Sequence, residues 1–229
     1  MKDKTLVGGI IVMVIGALLI GIVWFFFLKP TIAPSAPIEA IPIEIEGDSN
    51  SYIIFEITQA ESSVSFTLEE TLRGLPTTVV GFSQEVSGQI ALNFADLPAS
   101  QVGSILINAR TLQTDNEFRN NAIHNFILTT EDNEFIMFTP TQIRGVPANI
   151  AADTPTSFQI EGDLTIRGIT QTAVFSTTVT TINTERLVGK ATANILRSDY
   201  NLQIPDAPGV ANVNENVALN FEFHAISKQ

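Results

Sequence analysis

The sequence has no cysteine and very little histidine. The missing cysteine excludes disulfides, thiolate metal sites, a cysteine nucleophile and an acylated lipoprotein cysteine. Only His124 and His224 are present, so a histidine-rich metal site is excluded as well, and we expect no metal ion. Basic residues are scarce too, since 12 Lys and Arg stand against 24 Asp and Glu and give a net charge of −12. A surface of this sign repels phosphate backbones, so we expect no nucleic-acid partner.

Sequence motifs of common catalytic centres are also missing. No Gly-x-Ser-x-Gly, His-Glu-x-x-His or phosphate-loop pattern occurs. Glu222 and His224 share one face of a predicted strand, where a solvated polar face explains them better than an acid–base pair. Arg197 and Asp199 lie two residues apart, and we expect a structural ion pair between them at the rim of the domain. We therefore predict no catalytic residue and no enzymatic activity.

One long apolar run occurs near the N-terminus. Leu6–Leu28 contains 23 residues without a charge, and at about 1.5 Å per residue a helix of this length crosses the roughly 30 Å hydrocarbon core of a bilayer. Lys2 and Lys4 precede this run, which predicts that residues 1–5 are cytoplasmic and that the rest of the chain is extracytoplasmic. A cleaved signal peptide is the alternative, although its apolar region is normally only about 7–15 residues long. We predict a single-pass protein of the cell membrane.

Residues 29–50 form a segment rich in proline and acidic residues, a composition that prevents a helix and favours an extended chain. We predict a disordered tether that, at about 3.1 Å per residue, holds the folded domain up to roughly 60 Å from the bilayer. The short run "IPIEIE", residues 41–46, alternates in character, so an added edge strand is the other interpretation. The folded domain is predicted to occupy residues 51–229.

From Tyr52 onward apolar residues recur with a period of two, which is typical of β-strands. Consecutive strands separated by short turns predict antiparallel neighbours, and a meander of about eight strands with one apolar face closes most simply into an up-and-down barrel. The candidate strands are Tyr52–Ile57, Val64–Leu68, Thr77–Phe82, Ser87–Phe94, Ser104–Ala109, Phe135–Ile143, Thr156–Ile166, Gln171–Thr180, Leu187–Leu196 and Asn216–Ala225.

The stretch Thr111–Phe135 breaks the alternation and predicts a short helix. Thr114 followed by Glu117 has the spacing of a capping box, so the helix is expected to start there. Phe118, Ala122 and Phe126 then share one helix face. This face either covers one mouth of the barrel as a lid or plugs the end of the core, and the sequence leaves both interpretations open.

Small residues on the inward-facing positions decide whether such a barrel is hollow. Gly189, Ala191 and Ala193 share one face of a strand, and Gly162 lies on an apolar face between two aliphatic residues. If these residues point inward, the interior is not filled, and a barrel of this size admits one small ligand. Phenylalanine is abundant, with 15 residues, and the only tryptophan is Trp24, so the lining would suit a hydrocarbon. The pattern alone leaves a closed core as an equal alternative.

Several motifs resemble those of the YceI-like family of polyisoprenoid-binding proteins. They are "GDLTIRGITQTAVF", "ILRSDYNL", "VNENVALNFEFHA" and "INARTLQTDNEFRNNAIHNFI", and the resemblance as a whole spans about residues 52–225. The positions that match the family pattern are Thr111, Thr114, Asn116, Arg119, Gly162 to Ile166, Gly168, Thr170, Arg197 and Asp199. The sequence departs from that pattern at Asn120 instead of Asp, at Asn133-Glu134 instead of Tyr-Pro and at Tyr200-Asn201 instead of Phe-Gly.

This resemblance implies a lipocalin-like antiparallel barrel with an elongated pocket for an isoprenoid chain, such as a polyprenyl lipid or a quinone tail. We expect a membrane-anchored binding protein that stores, carries or sequesters such a lipid, with no other cofactor. The alternative is a barrel with a closed core that acts as a stress-response or adhesion module through protein contacts, and a homodimer stays open. The predicted ligand-binding residues are Phe66, Leu92, Phe118, Phe126, Phe158, Ile160, Leu164, Phe175, Leu219 and Phe221.

Overall fold

The computed structural model describes residues 30–148 and 154–228, together with Met13, Val14 and Gly16. Within these ranges the chain forms thirteen β-strands and one short α-helix, so the predicted all-β class is confirmed. The strands are β1 Ile53–Ile57, β2 Ser63–Leu72, β3 Leu75–Ser83, β4 Val86–Ser87, β5 Gln89–Leu92, β6 Gln101–Val102, β7 Ile105–Asn108, β8 Phe135–Arg144, β9 Thr156–Ile166, β10 Ile169–Asn183, β11 Arg186–Leu196, β12 Val210–Ala211 and β13 Asn216–Ser227.

The helical elements are short. The helix α1 covers Glu117–Ala122 and continues into a π-helical stretch, Ile123–Ile127. Isolated 3-10 turns occupy Ser49–Ser51, Gln59–Glu61, Leu97–Ala99, Ala109–Thr111 and Arg197–Tyr200. No helix in the described part of the chain has both the length and the apolar character needed to cross a bilayer. The predicted membrane segment, residues 6–28, lies outside the described residues except for Met13, Val14 and Gly16.

The strands pair antiparallel in the order β4-β7-β8-β9-β10-β11-β13-β1-β5-β6, and β2 lies beside β13, β3 and β12. The strands β3, β4 and β5 follow one another almost without interruption, yet they pair with β2, β7 and β1 respectively. This extended run therefore connects the two ends of the sheet order, and the sheet curls around an interior in a lipocalin-like arrangement. The strand count exceeds the predicted eight because this run and its neighbours change partners and are divided into short segments.

The hairpin of β9 and β10 shows how the sequence gives the sheet its twist. Its strands face each other in continuous register from Ile166 opposite Ile169 to Thr156 opposite Val179. The two turn residues, Arg167 and Gly168, have φ values of 52° and 71°. Positive φ at both positions defines a type I′ turn, whose twist matches the right-handed twist of the strands. Since the register is fixed at the turn, every second side chain of β9 and β10 faces the interior.

The segment before the first strand packs along the sheet. Ile38 is only 5% exposed, and its carbonyl accepts a hydrogen bond of 2.8 Å from the Gln59 side chain. The Ile43 N–H donates to the Gln89 side chain at 3.0 Å. The predicted disordered tether is therefore wrong for residues 33–46, because specific side chains of the sheet bind this backbone. No strand forms over residues 41–46, so the added edge strand is wrong as well.

Candidate functional site

The curled sheet encloses a cavity of about 180 Å³ with an almost entirely apolar wall. Every contributing strand places its inward-facing side chains on this wall, because side chains alternate between the two faces of a strand. Eight of the ten predicted ligand-binding residues line the cavity, and ligand binding by them stays a prediction. These eight are Phe66, Leu92, Phe158, Ile160, Leu164, Phe175, Leu219 and Phe221.

Three inward-facing glycines do not create this space, contrary to what the sequence pattern suggested for two of them. A Cβ on Gly162 would lie 2.7 Å from the Phe138 ring. The ring of Phe223 covers Gly189 in the same way, and the ring of Phe66 covers Gly81. Each glycine thus accepts an aromatic ring from a neighbouring strand, a pairing that fills the interior next to it. The inward-facing small residues therefore explain the cavity only where no ring covers them.

Ala191 is the small residue that leaves room. It is buried and lies on the cavity wall, opposite Phe221 of β13 and Thr177 of β10. The neighbouring rings are held by each other, since Phe221 contacts Phe223 at a centroid distance of 5.1 Å. Moving either ring toward Ala191 would break this aromatic contact, so the small side chain of Ala191 stays on the cavity wall.

Thr177 introduces a polar atom into this apolar wall. Its side chain is 3% exposed, and its hydroxyl has no hydrogen-bond partner among the described residues. A second hydroxyl on the wall, that of Ser100, accepts a hydrogen bond from the Asn93 N–H at 3.1 Å. A buried hydroxyl without a partner costs free energy in the empty protein, so the Thr177 hydroxyl is available to a polar atom inside the cavity. Sequence alternation gave no signal for this residue.

A second cavity of about 580 Å³ lies under α1 and forms the mouth. It shares five wall residues with the inner cavity, so the two spaces adjoin. The shared residues are Phe66, Leu112, Ile136, Ile166 and Leu219. Phe118 and Phe126, the other two predicted ligand-binding residues, line this mouth rather than the inner cavity. The predicted helix face, which also includes Ala122, therefore covers one end of the interior.

The start of α1 differs from the predicted capping box. Asn116 is the N-cap, and its side-chain oxygen accepts hydrogen bonds from Phe118 N–H and Arg119 N–H at 2.9 and 3.1 Å. The Thr114 hydroxyl instead accepts from the Asn116 N–H at 3.2 Å. Asn120 fixes Thr114 in turn, since its side-chain oxygen accepts from the Thr114 N–H at 2.7 Å. The predicted cap is wrong by two residues because asparagine caps a helix at least as well as threonine.

Two arginines at the mouth form ion pairs. Arg119 of α1 bonds Glu70 of β2 at 3.1 Å. Arg197 bonds Glu215 at 2.7 Å, so the predicted pairing with Asp199 is wrong. The Arg197 guanidinium also donates to the Leu202 carbonyl at 2.9 Å. The bonds of Arg197 hold the loop between β11 and β13 across the mouth, because they reach Leu202 near the start of the loop and Glu215 near its end.

Both histidines and Lys190 have structural partners. Lys190 bonds Glu222 at 3.1 Å, and the Nδ1 of His224 accepts a hydrogen bond of 2.8 Å from Arg186. His124 donates from Nε2 to the Leu112 carbonyl at 2.7 Å, and burial lowers the pKa of His124. Within the described ranges no cluster of three or more His, Asp or Glu is placed to hold a metal ion. His124 thus connects the helical segment to Leu112, which borders both cavities.

A curled antiparallel sheet with an apolar interior cavity and a helix at its mouth defines a lipocalin-like fold. The profile of the YceI-like domain matches residues 55–225, so the chain belongs to the YceI-like family and the predicted membership is confirmed. No curated protein sequence matches the chain.

Solved structures with a similar fold include a polyisoprenoid binding domain from Saccharophagus degradans. It is 13% identical, the match covers 76% of this chain and 98% of that one, and the TM-score is 0.60. BcnA of Burkholderia cenocepacia is 20% identical over 73% of this chain and 98% of its own, with a TM-score of 0.57. The YCEI protein of Campylobacter jejuni is 16% identical over 65% and 85%, with a TM-score of 0.53. At these identities the likeness shows a shared fold.

Proposed function

We propose that this protein is a membrane-anchored, extracytoplasmic binding protein that holds an isoprenoid or similar amphiphilic lipid inside a hydrophobic β-barrel. The observation that carries this proposal is the almost entirely apolar inner cavity, lined by Ala191, which adjoins the cavity at the mouth, lined by Phe118. The similar domain from Saccharophagus degradans, described as polyisoprenoid binding, supports the same class of ligand. The apolar run at residues 6–28 supports the anchor.

The chemistry of the interior fits a long hydrocarbon. Each CH₂ group moved from water into an apolar site contributes about 0.8 kcal/mol, so a prenyl chain binds firmly without many polar contacts. The inner cavity is smaller than the cavity at the mouth, about 180 Å³ against 580 Å³, which suits a flexible tail inside and a larger group outside. An isoprenoid quinone belongs to this class of ligand. The polar groups at the mouth and the Thr177 hydroxyl then provide specificity.

The proposal is for binding without catalysis. Two arginines near the mouth are engaged in ion pairs, Arg119 with Glu70 and Arg197 with Glu215. Such pairs hold a binding wall in place and leave the ligand chemically unchanged. A closed-core protein that acts through its outer surface fits less well, because the interior contains a cavity of about 180 Å³.

Lipid analysis of the purified full chain tests the proposal. The control is Ala191→Leu, which fills the inner cavity and leaves residues 6–28 unchanged, so lipid held around the anchor is the same in both proteins. We expect lipid extraction and mass spectrometry to recover a prenyl lipid with the natural chain and much less of it with Ala191→Leu. Equal recovery from both proteins, or an empty natural chain that refuses added prenols, contradicts the proposed function.

A further inference from the structure

The chain just before the sheet is fixed to it by largely buried groups. Arg110 and Glu134 form an ion pair of 2.9 Å, with about 10% of each side chain exposed. Arg110 also donates to the Ala33 carbonyl at 3.2 Å, and Glu134 accepts from the Ser35 N–H at 2.8 Å. Both bonds reach backbone groups of this segment, so the ion pair sets its position on the sheet.

Further contacts continue along the same segment, which we call the docked segment, residues 33–46. Ile38 is buried, and the Ser87 hydroxyl donates to the Glu39 carbonyl at 3.0 Å. The Glu46 N–H donates to the Gln101 side chain at 3.1 Å, and the Gln101 amide returns a bond to the Glu46 carbonyl at 2.9 Å. A segment bound at both ends and in the middle has little freedom to act as a long tether.

The chain enters the docked segment beside the mouth. Pro30 and Thr31 border a surface cavity together with Glu117 and Phe118 of α1. Phe118 also lines the mouth. The apolar run ends at Leu28, and the two residues that follow it extend at most about 7 Å. A bilayer that held residues 6–28 would therefore lie next to α1.

The rim of the mouth carries solvent-exposed apolar side chains. Phe118 is 63% exposed and Leu75, at the tip of the β2–β3 hairpin, is 68% exposed. Both line the mouth. Exposed apolar groups around an opening are typical of a surface that contacts a membrane or a partner. The net charge of −12 favours uncharged or zwitterionic lipids over anionic ones.

We infer that the docked segment holds the mouth against a zwitterionic phospholipid bilayer, with Leu75 and Phe118 in the interface. The lipid then moves between bilayer and cavity without passing through water. This inference rests on the membrane anchor and the lipid binding proposed above. It adds an orientation to them, since a long free tether would let the mouth point in any direction.

The absence of cysteine allows a direct test with single labels on the full chain. Environment-sensitive fluorophores are placed by Leu75→Cys, by Phe118→Cys and, at the opposite end of the sheet, by Thr184→Cys. Each protein is reconstituted into phosphatidylcholine vesicles with and without nitroxide lipids that quench near the surface. We expect blue-shifted emission and strong quenching at positions 75 and 118, and neither effect at position 184. Equal quenching at all three positions, or none at 75 and 118, overturns the inference.

A second variant tests the docked segment itself. Ile38→Asp places a charge in a buried apolar contact and should release the segment while residues 6–28 keep the protein in the vesicle. We expect the quenching at positions 75 and 118 to fall, with the lipid content of the protein unchanged. Quenching that persists after the release contradicts the role of the docked segment. An empty cavity together with strong quenching contradicts the binding function and supports the orientation.

Discussion

Filling the inner cavity gives a prediction whose size follows from the structure. Ala191→Leu adds three carbon groups to a buried position on the cavity wall. If they exclude an equal number of ligand carbons at about 0.8 kcal/mol each, the loss in binding free energy is about 2.4 kcal/mol. This corresponds to an increase in the Kd of about 60-fold. The free energy of unfolding should change by less than about 1.5 kcal/mol, because the added groups occupy empty space.

A titration with a prenol, followed by native mass spectrometry of the full chain in micelles, measures this change. Part of the prenol enters the micelles, and this share is the same for the natural protein and for Ala191→Leu. It therefore cancels in the ratio of their Kd values. Asn194→Leu is the matched control, since it adds an apolar side chain at an exposed position of the same strand. The control should bind as the natural protein does. An unchanged Kd for Ala191→Leu, or an equal loss for Asn194→Leu, refutes the reasoning.

Three other substitutions test the surroundings of the cavity. Thr177→Val removes a buried hydroxyl without a partner and should raise the free energy of unfolding of the lipid-free protein by about 1 kcal/mol in urea titrations; a decrease would contradict the assignment. Gly162→Ala should lower the free energy of unfolding by about 1–3 kcal/mol in the same assay, because the new Cβ would lie 2.5 Å from the Thr139 carbonyl oxygen. An unchanged free energy of unfolding would show that the strands adapt. His124→Gln tests the pH dependence of stability. Burial lowers the pKa of His124 in the folded protein, so neutral His124 contributes its full stability above the unfolded pKa of about 6.5. This contribution is lost as the pH falls below that value. The variant should therefore lose less stability between pH 7 and pH 5 than the natural protein, and an equal loss would exclude His124.

The sequence was sufficient for the class of fold and for most of the cavity wall. The inward positions of β9 and β10 follow from strict alternation and a turn that fixes the register, so Phe158, Ile160 and Leu164 were placed from the pattern alone. The break in the alternation and the helical spacing of Phe118, Ala122 and Phe126 predicted the helix at the mouth. These features depend on local periodicity, which a single sequence contains.

The features that were missed depend on contacts between distant parts of the chain. The pattern could not show that Phe223 covers Gly189, because the two residues lie on different strands. Arg197 bonds Glu215 rather than Asp199, since the loop brings a distant carboxylate closer. Glu134, where the sequence departs from the family pattern, binds the backbone at Ser35. This long-range bond explains why a proline-rich segment that suggests a free tether is docked.

Binding of a lipid inside the sheet can be seen in a crystal structure of the protein purified with its native lipid. We expect elongated electron density that starts beside Thr177 and Ala191, follows the apolar wall and leaves the sheet between Phe118 and Phe126. Density for bulky side chains that meet across the interior, with no continuous space between Ala191 and the mouth, would contradict it.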